Sequence, residues 1–253
     1  MYVDLSRIDK FYKTAIGAYV QKRLSSSVDA FCTNYPIEGR TVVCSAACYP
    51  YIDKIKQAAS RLSLQTPSYQ DVWPTGGEGH YMMANRDLLP YRAEEIDCMM
   101  MIHDLEFAED PDIFLRECWR VLKGEGRLFI VIPNRAGRWA RQDNTPFGRG
   151  YPYTLEQLRS LLAKSHFMVD TVERALYFPP YAPKTKIGAM YRSLVERIGT
   201  LCCMGTCGVY IIEAGKHLYS PHKGLGEITA EKARSVLFPQ PAATSPSSTR
   251  DKI

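Results

Sequence analysis

Two strongly apolar segments separated by one well-capped helix constrain the fold of this chain more than any other feature. The runs at 96–102 and 127–132 have the length and composition of buried strands. Between them, Asp110 and Pro111 predict the start of a helix, and Gly124 predicts a left-handed cap at its end. A strand, a helix and a second strand in this order predict a βαβ unit with parallel strands.

The alternation of strands and helices continues on both sides of that unit. Apolar spacing predicts helices at 5–24, 51–62, 154–165 and 187–201, and strands at 41–46, 62–66, 80–84, within 166–177 and at 209–214. The chain is therefore expected to have an α/β fold built on a parallel sheet. Ligands of such sheets bind at the carboxyl ends of the strands, so the loops after Ala46, Ala84, Ile102 and Ile132 are the candidate site.

Composition fits one folded domain followed by a tail. The chain has 253 residues, of which 45% are hydrophobic, and this is enough for one sizeable core. We expect the domain at 1–219, whereas the Pro- and Ser-rich segment 220–253 is typical of a disordered tail. No apolar run of about 18 residues predicts a membrane span, and charged residues interrupt any signal-like stretch near the start. We therefore expect a cytoplasmic protein without a membrane partner.

The net charge and the cysteine content put only weak limits on the ligands that the chain could bind. The net charge of +5 is compatible with an anionic small ligand or with occasional nucleic-acid contact, and it requires neither. Eight cysteines without an export signal are expected to be reduced thiols. Cys202, Cys203 and Cys207 form a cluster, but three thiols without a fourth ligand nearby are a poor zinc signature. We therefore expect no metal site.

The order of motifs between 96 and 134 points to a known family. His103 follows the first buried strand, Asp110 and Pro111 open the helix, and Arg-Val-Leu-Lys at 120–123 precedes a glycine turn and the next strand. This block resembles the methyltransferase type 11 group of class I, S-adenosylmethionine (SAM)-dependent methyltransferases. The resemblance implies a Rossmann-like, seven-stranded, mostly parallel sheet with helices on both faces and the last strand antiparallel. It also implies a SAM cofactor and methyl transfer to an unidentified acceptor.

The resemblance covers about residues 5–216 and its second half looks like a narrower bacterial subgroup. In this family the first strand leads into a glycine-rich loop that holds the cofactor. Here that loop, at 45–50, contains no glycine, and 64–67 offers amide and hydroxyl groups where an acidic residue binds the ribose. Either backbone amides and Ser45 still hold SAM, or the loop is a plain strand-to-helix turn in a scaffold that has lost its cofactor.

The resemblance assigns the cofactor side of the site residue by residue. The expected cofactor-binding residues are Ser45, Ala46, Ala47, Tyr49, Asn85, Arg86, His103 and Glu106. Asn85 aligns with the adenine-side position, where its amide can accept and donate hydrogen bonds. His103 is the candidate catalytic residue, as a general base or as part of the acceptor pocket, with Glu106 orienting it. The alternative is that His103 and Glu106 form a hydrogen-bonded structural pair.

The long segment 133–153 is the candidate acceptor side. It lacks periodicity, is rich in arginine and contains aromatic residues, and loops of this length are usually functional or disordered. The expected substrate-binding residues are Asn134, Arg135, Arg138, Trp139 and Arg141. Arginine suits an anionic or planar acceptor, and Trp139 offers a stacking surface. The alternative is a solvated basic loop anchored by Trp139.

Two other functions stay open beside methyl transfer. The glycine-free loop motivates a catalytically inactive, methyltransferase-like module that binds a protein partner. The arginine-rich segment motivates a nucleic-acid binder whose affinity would fall steeply with salt. The modest overall charge disfavours the second of these.

Overall fold

A computed structural model describes residues 5–55, 58, 60–65, 81–181, 186–202 and 207–217. The predicted tail at 220–253, most of the loop between the second and third strands, and Cys203 lie outside these residues. The helices are α1 (Leu5–Tyr12), α2 (Ala15–Asn34), α3 (Pro111–Val121), α4 (Leu155–Lys164) and α5 (Lys186–Cys202). The strands are β1 (Thr41–Ser45), β2 (Ser60–Gln65), β3 (Tyr81–Met83), β4 (Ile96–Ile102), β5 (Leu122–Pro133), β6 (Met168–Ala175) and β7 (Val209–Gly215).

All seven strands belong to one sheet, in the order β3-β2-β1-β4-β5-β7-β6. Neighbouring strands from β3 to β5 run parallel, with Val42 paired to Cys98 and Met100 paired to Phe129. Strand β7 runs antiparallel to both β5 and β6. The predicted Rossmann-like sheet with an antiparallel last strand is confirmed.

The two faces of the sheet carry separate cores, because successive side chains of a strand point to opposite sides. Cys98, Met100 and Ile102 of β4 face the layer that contains α1 and α2. Met99 and Met101 face the layer that contains α3 and α4. The near-continuous apolar character of β4 in the sequence follows from this double burial, and the prediction of helices on both faces is confirmed.

The predicted single helix at 5–24 is wrong, because the chain forms α1 and α2 with a break between them. Thr14 caps α2 by accepting a hydrogen bond from the backbone N–H of Gly17 at 3.0 Å. Gly17 sits against the end of α1, where an added Cβ would lie 1.9 Å from the carbonyl oxygen of Phe11. The tight turn between the helices therefore depends on a tertiary contact that apolar spacing does not reveal.

Two further local predictions are also wrong. Instead of a helix at 51–62, a 3₁₀ segment spans Ala46–Ile55 and β2 begins at Ser60. Gly124 is not a left-handed helix cap, since the chain passes from α3 directly into β5 and Glu125 holds the positive φ of 63°. The backbone N–H of Glu125 donates to the carbonyl of Lys216 at 2.9 Å, so pairing with the chain beyond β7 decides the local conformation.

The C-terminal half follows the sequence closely. Thr154 caps α4 in a reciprocal capping box with Gln157, and β6, α5 and β7 form where apolar runs predicted them. Among the helices described, none combines the length and the apolar character needed to cross a bilayer.

Candidate active site

The carboxyl ends of β1, β3 and β4 bring most of the predicted cofactor residues to one edge of the sheet. Ser45 ends β1, Asn85 and Arg86 follow β3, and His103 directly follows β4. Two contacts join these strand ends, because Ser45 hydrogen-bonds to Ile102 and Arg86 forms an ion pair with Asp104. The structure therefore gathers residues that are up to about sixty positions apart in the sequence.

Ser45 joins the end of β1 to the end of β4 through hydrogen bonds. Its Oγ donates to the carbonyl oxygen of Ile102 at 3.0 Å and accepts from the N–H of Ile102 at 3.1 Å. The side chain is 2% exposed, and Cys48 Sγ lies 3.3 Å from its Oγ. Ser45 thus positions the two strands, and its hydroxyl is already occupied by backbone groups.

The glycine-free turn after β1 places the side chains of Ala47 and Cys48 inside the protein. Ala47 is fully buried in the core on the α1–α2 face, and Cys48 Sγ lies 3.4 Å from the carbonyl oxygen of Met100. Tyr49 is half-buried. The extra methyl group of Ala47 is therefore accommodated in the core, while the first turn of the 3₁₀ segment starts at the edge of the sheet.

A buried chain of polar groups crosses this edge. Tyr51 Oη donates to Tyr12 Oη at 3.0 Å, and Tyr12 Oη lies 3.1 Å from His103 Nε2. His103 Nδ1 in turn lies 3.4 Å from Glu106 Oε1. The four side chains are between 0% and 6% exposed. Helix α1, the 3₁₀ segment and the turn after β4 are thus linked through one network.

The direction of the protons along this network follows from its chemistry. Burial is the main cause that raises the pKa of the Tyr12 and Tyr51 phenols, so both stay protonated near neutral pH. Since Tyr12 accepts from Tyr51, its own proton points to His103 Nε2. A neutral imidazole then carries its proton on Nδ1, which faces Glu106. His103 and Glu106 are thus neighbours at 3.4 Å, while the hydrogen-bonded pair and the catalytic role both stay predictions.

Glu106 is the most unusual group of the site. Its side chain is 0% exposed, and neither carboxylate oxygen has a hydrogen-bond partner among the described residues. Nδ1 of His103, which lies 3.4 Å from Glu106 Oε1, is likewise without a hydrogen-bond partner among the described residues. Buried carboxylates normally hold partners, so an orphaned one next to a strand end indicates a site that is completed by another group.

Arg86 forms a buried ion pair within the protein. Its Nε and Nη2 lie 2.8 and 2.6 Å from Asp104 Oδ1, and both side chains are less than 10% exposed. Its guanidinium also lies 5.9 Å from the ring centre of Phe114. The pair joins the turn after β3 to the turn after β4, so Arg86 positions the neighbouring Asn85. Asn85 itself is exposed, and its side-chain oxygen accepts from the N–H of Asp87 at 3.3 Å.

The predicted acceptor residues do not form one cluster. Trp139 is fully buried, its Nε1 donates to the carbonyl of Phe178 at 2.8 Å, and Phe11, Phe147 and Phe178 meet it edge to face. Asn134 is also buried, with its amide donating to the carbonyl of Cys207 at 2.8 Å.

The arginines of the same loop have a different environment. Arg135, Arg138 and Arg141 are exposed. Arg135 lines an open groove beside α4, together with Tyr151 and Tyr153. The loop is thus anchored by Trp139 and basic on its outer side, which is the arrangement that the alternative interpretation describes.

Sequence reasoning missed several residues of this edge. Tyr12 and Tyr51 fall within helices predicted from apolar spacing, and no motif marks Asp104 beside His103. Arg7 and Lys10 of α1 and Arg149 line a cavity of about 350 Å³ between α1 and the loop after β5. The charged positions on the outer face of α1 were the available signal for that cavity.

Gly150 couples the loop after β5 to Glu106. Its φ is +78°, and an added Cβ would lie 2.5 Å from the carbonyl oxygen of Glu106. We expect Gly150→Ala to lower the free energy of unfolding by about 1–3 kcal/mol more than a left-handed position alone requires, because the added methyl group overpacks the contact. Chemical denaturation measures this, and Gly39→Ala is the matched control, since Gly39 has a φ of +70° and no atom within 4 Å of the added Cβ. Equal losses in the two variants would refute the coupling.

The described residues fit a cofactor that carries charged and hydroxyl groups. The first turn of the 3₁₀ segment has backbone N–H groups without partners inside that segment, and these suit a carboxylate. The exposed amide of Asn85 can both donate and accept. The orphaned carboxylate of Glu106 adds a negative group at the same edge.

Comparisons with known proteins support this description. Residues 40–130, which run from just before β1 into β5, match the model of a family described as "Methyltransferase domain". The chain is 34% identical over 101 residues to probable S-adenosylmethionine-dependent methyltransferases of Mycobacterium tuberculosis strains CDC 1551 and H37Rv. The match spans 39% of this chain and only 36% of the length of each relative.

Solved structures extend the likeness to the whole described domain. A Thermotoga maritima SAM-dependent methyltransferase, a possible histamine N-methyltransferase, has a TM-score of 0.57 at 16% identity, covering 83% of this chain and 94% of that one. Geranyl diphosphate C-methyltransferase from Streptomyces coelicolor has a TM-score of 0.54 at 14% identity, covering 77% and 78%. At such identities the likeness shows the fold.

The sheet order and the likeness to solved structures show that the chain has the fold of class I methyltransferases. Its residues 40–130 are the segment that matches the methyltransferase family model, and they contain β1 to β4 complete.

Proposed function

We propose that this protein is a SAM-dependent methyltransferase that binds SAM at the carboxyl edge of β1 and β4. The observation that carries the proposal is the coincidence of the family match with the site. Residues 40–130 contain Ser45, Asn85 and His103, the positions that end β1, follow β3 and follow β4. The fold likeness to the Streptomyces enzyme, whose structure contains S-adenosylhomocysteine, supports SAM as the cofactor here.

The chain's own residues would bind the cofactor and orient it. Backbone N–H groups at 46–49 would hold the cofactor's carboxylate, and Asn85 would contact the adenine side. Arg86 holds Asn85 in place through its buried ion pair with Asp104. Bound SAM supplies a methyl group activated by the neighbouring sulfonium. Alignment of two bound reactants can account for much of the acceleration of such a transfer, so a dedicated base is not required.

His103 would act in this scheme as a positioning residue. Its two ring nitrogens face Tyr12 and Glu106, and its side chain is 1% exposed. The ring therefore ties α1 to the turn after β4 and helps to exclude water from the edge of the sheet. A role as general base stays a prediction and would need the Tyr12 contact to open.

Titration calorimetry with SAM and S-adenosylhomocysteine tests the proposal. We expect saturable 1:1 binding, and we expect Asn85→Ala to weaken it about three- to tenfold, the usual effect of losing one neutral hydrogen bond. Gln142→Ala removes an amide from the loop after β5 and serves as the control with unchanged affinity. No heat from either ligand at millimolar concentration would refute the proposal and would leave the inactive binding module as the better account.

A further inference from the structure

The cavity between α1 and the loop after β5 is the most distinctive surface feature outside the network just described. It has a volume of about 350 Å³, which lies at the lower end of the range for small-molecule sites. A pocket of this size fits a small metabolite. Its position suits an acceptor, because α1 and the turn after β4 contribute to both the cavity and the candidate site.

The floor of the cavity is apolar. Ile8 and Phe11 of α1 contribute to it, as does Phe107, the residue after Glu106. All three side chains are less than 10% exposed. Phe11 also packs edge to face on Tyr12 at 5.3 Å between ring centres, so one aromatic layer separates the cavity from the His103 network. The apolar part of a bound ligand would remove this surface from water.

The rim of the cavity is cationic. Arg7, Lys10 and Arg149 line it, against Asp143 as the one acidic residue of the lining. The Arg149 side chain is oriented by its Nε, which donates to the backbone carbonyl of Asp143 at 3.3 Å. Three cations around an apolar floor favour an anionic head group and disfavour a cationic one.

We propose that this cavity binds the methyl acceptor and that the acceptor is a small amphipathic carboxylate with an apolar body. The acceptor role rests on the proposed methyltransferase function, whereas the preference for an anion rests on the cavity alone. Ile8, Phe11 and Phe107 receive the apolar body. Lys10 and Arg149, together with Arg7, receive the carboxylate.

Binding of charge-matched ligands to the full chain tests this inference. Two series are titrated in the presence of S-adenosylhomocysteine: indole-3-acetate with indole-3-acetamide and tryptamine, and phenylacetate with phenylacetamide and phenethylamine. Within each series the body is constant and only the head group changes. We expect at least one carboxylate to bind about tenfold more tightly than its amide, and the amine to bind most weakly.

Two variants test whether the preference for a carboxylate arises in the cavity. In Lys10→Gln/Arg149→Gln the preference for carboxylate over amide should fall to about twofold or less, while affinity for the amide stays the same. Arg159→Gln, which removes an exposed cation from α4, should leave the preference intact. Circular dichroism melting verifies that the double variant folds, and both replaced side chains lie at the surface or partly exposed.

The outcomes separate this inference from the proposed function. Absence of an anion preference in both series, or its survival in the double variant, would overturn the cavity assignment even if S-adenosylhomocysteine binds. A preference that the double variant abolishes supports the anion site. If that happens without any S-adenosylhomocysteine binding, the acceptor role is overturned along with the proposed function.

Discussion

Asp104→Asn is expected to lower the free energy of unfolding by about 3–5 kcal/mol, because it leaves the buried guanidinium of Arg86 without its charged partner. The two side chains are 7% and 6% exposed, and the short contacts from Nε and Nη2 converge on one carboxylate oxygen. The substitution removes the negative charge that lies next to this desolvated cation. Urea denaturation followed by circular dichroism gives the difference directly.

A matched exposed pair provides the control for Asp104. Lys54 Nζ lies 2.9 Å from Asp29 Oδ2, but these side chains are 38% and 52% exposed. Asp29→Asn should therefore cost no more than about 1 kcal/mol. Arg86→Met combined with Asp104→Leu should recover most of the stability, since removing both charges leaves neither one buried alone. A loss below 1 kcal/mol in Asp104→Asn would show that the pair is not desolvated.

Trp139→Ala is expected to have an effect of similar size, about 3–5 kcal/mol, through loss of packing. The indole is fully buried, touches three phenylalanine rings edge to face, and donates to the carbonyl of Phe178. Trp139→Phe keeps most of the apolar volume and loses the hydrogen bond, so it should cost clearly less. Thermal or urea unfolding of the two variants measures both losses.

This prediction also decides between the two interpretations of the loop at 133–153. If Trp139 anchors the loop, Trp139→Ala unfolds the protein more easily, and Arg141→Ala on the exposed side has little effect on stability. If Trp139 instead stacks on an acceptor, Trp139→Ala would keep its stability and lose only ligand affinity. The buried position of the indole favours the first result.

Much of the fold could be predicted because its signals are local. Apolar runs, together with Asp110 and Pro111 at the helix start, predict the β4–α3–β5 unit. The capping box predicts the start of α4. The number of strands and the antiparallel last strand follow from the family resemblance rather than from spacing, and the strand order is seen only in the structure. Each of these features depends on residues that are close together or on a pattern shared by many chains.

The candidate site was harder to predict because its contacts are long-range. Tyr12 and His103 are 91 residues apart, and nothing in the spacing of α1 marks Tyr12 as a polar partner. Trp139 and Arg141 lie in the same segment without periodicity, so the sequence does not show which of them is buried. The structure buries Trp139 and exposes Arg141. The break before Thr14 likewise depends on the close approach of Gly17 to Phe11.

The most direct measurement is a crystal structure of the full chain grown with a saturating concentration of S-adenosylhomocysteine. Our account predicts ligand density beside 46–49 and Asn85, with the ligand at the carboxyl edge of β1 and β4. Density elsewhere on the molecule would contradict it. So would an edge in which Tyr12, Tyr51 and His103 keep their present contacts and no ligand is bound.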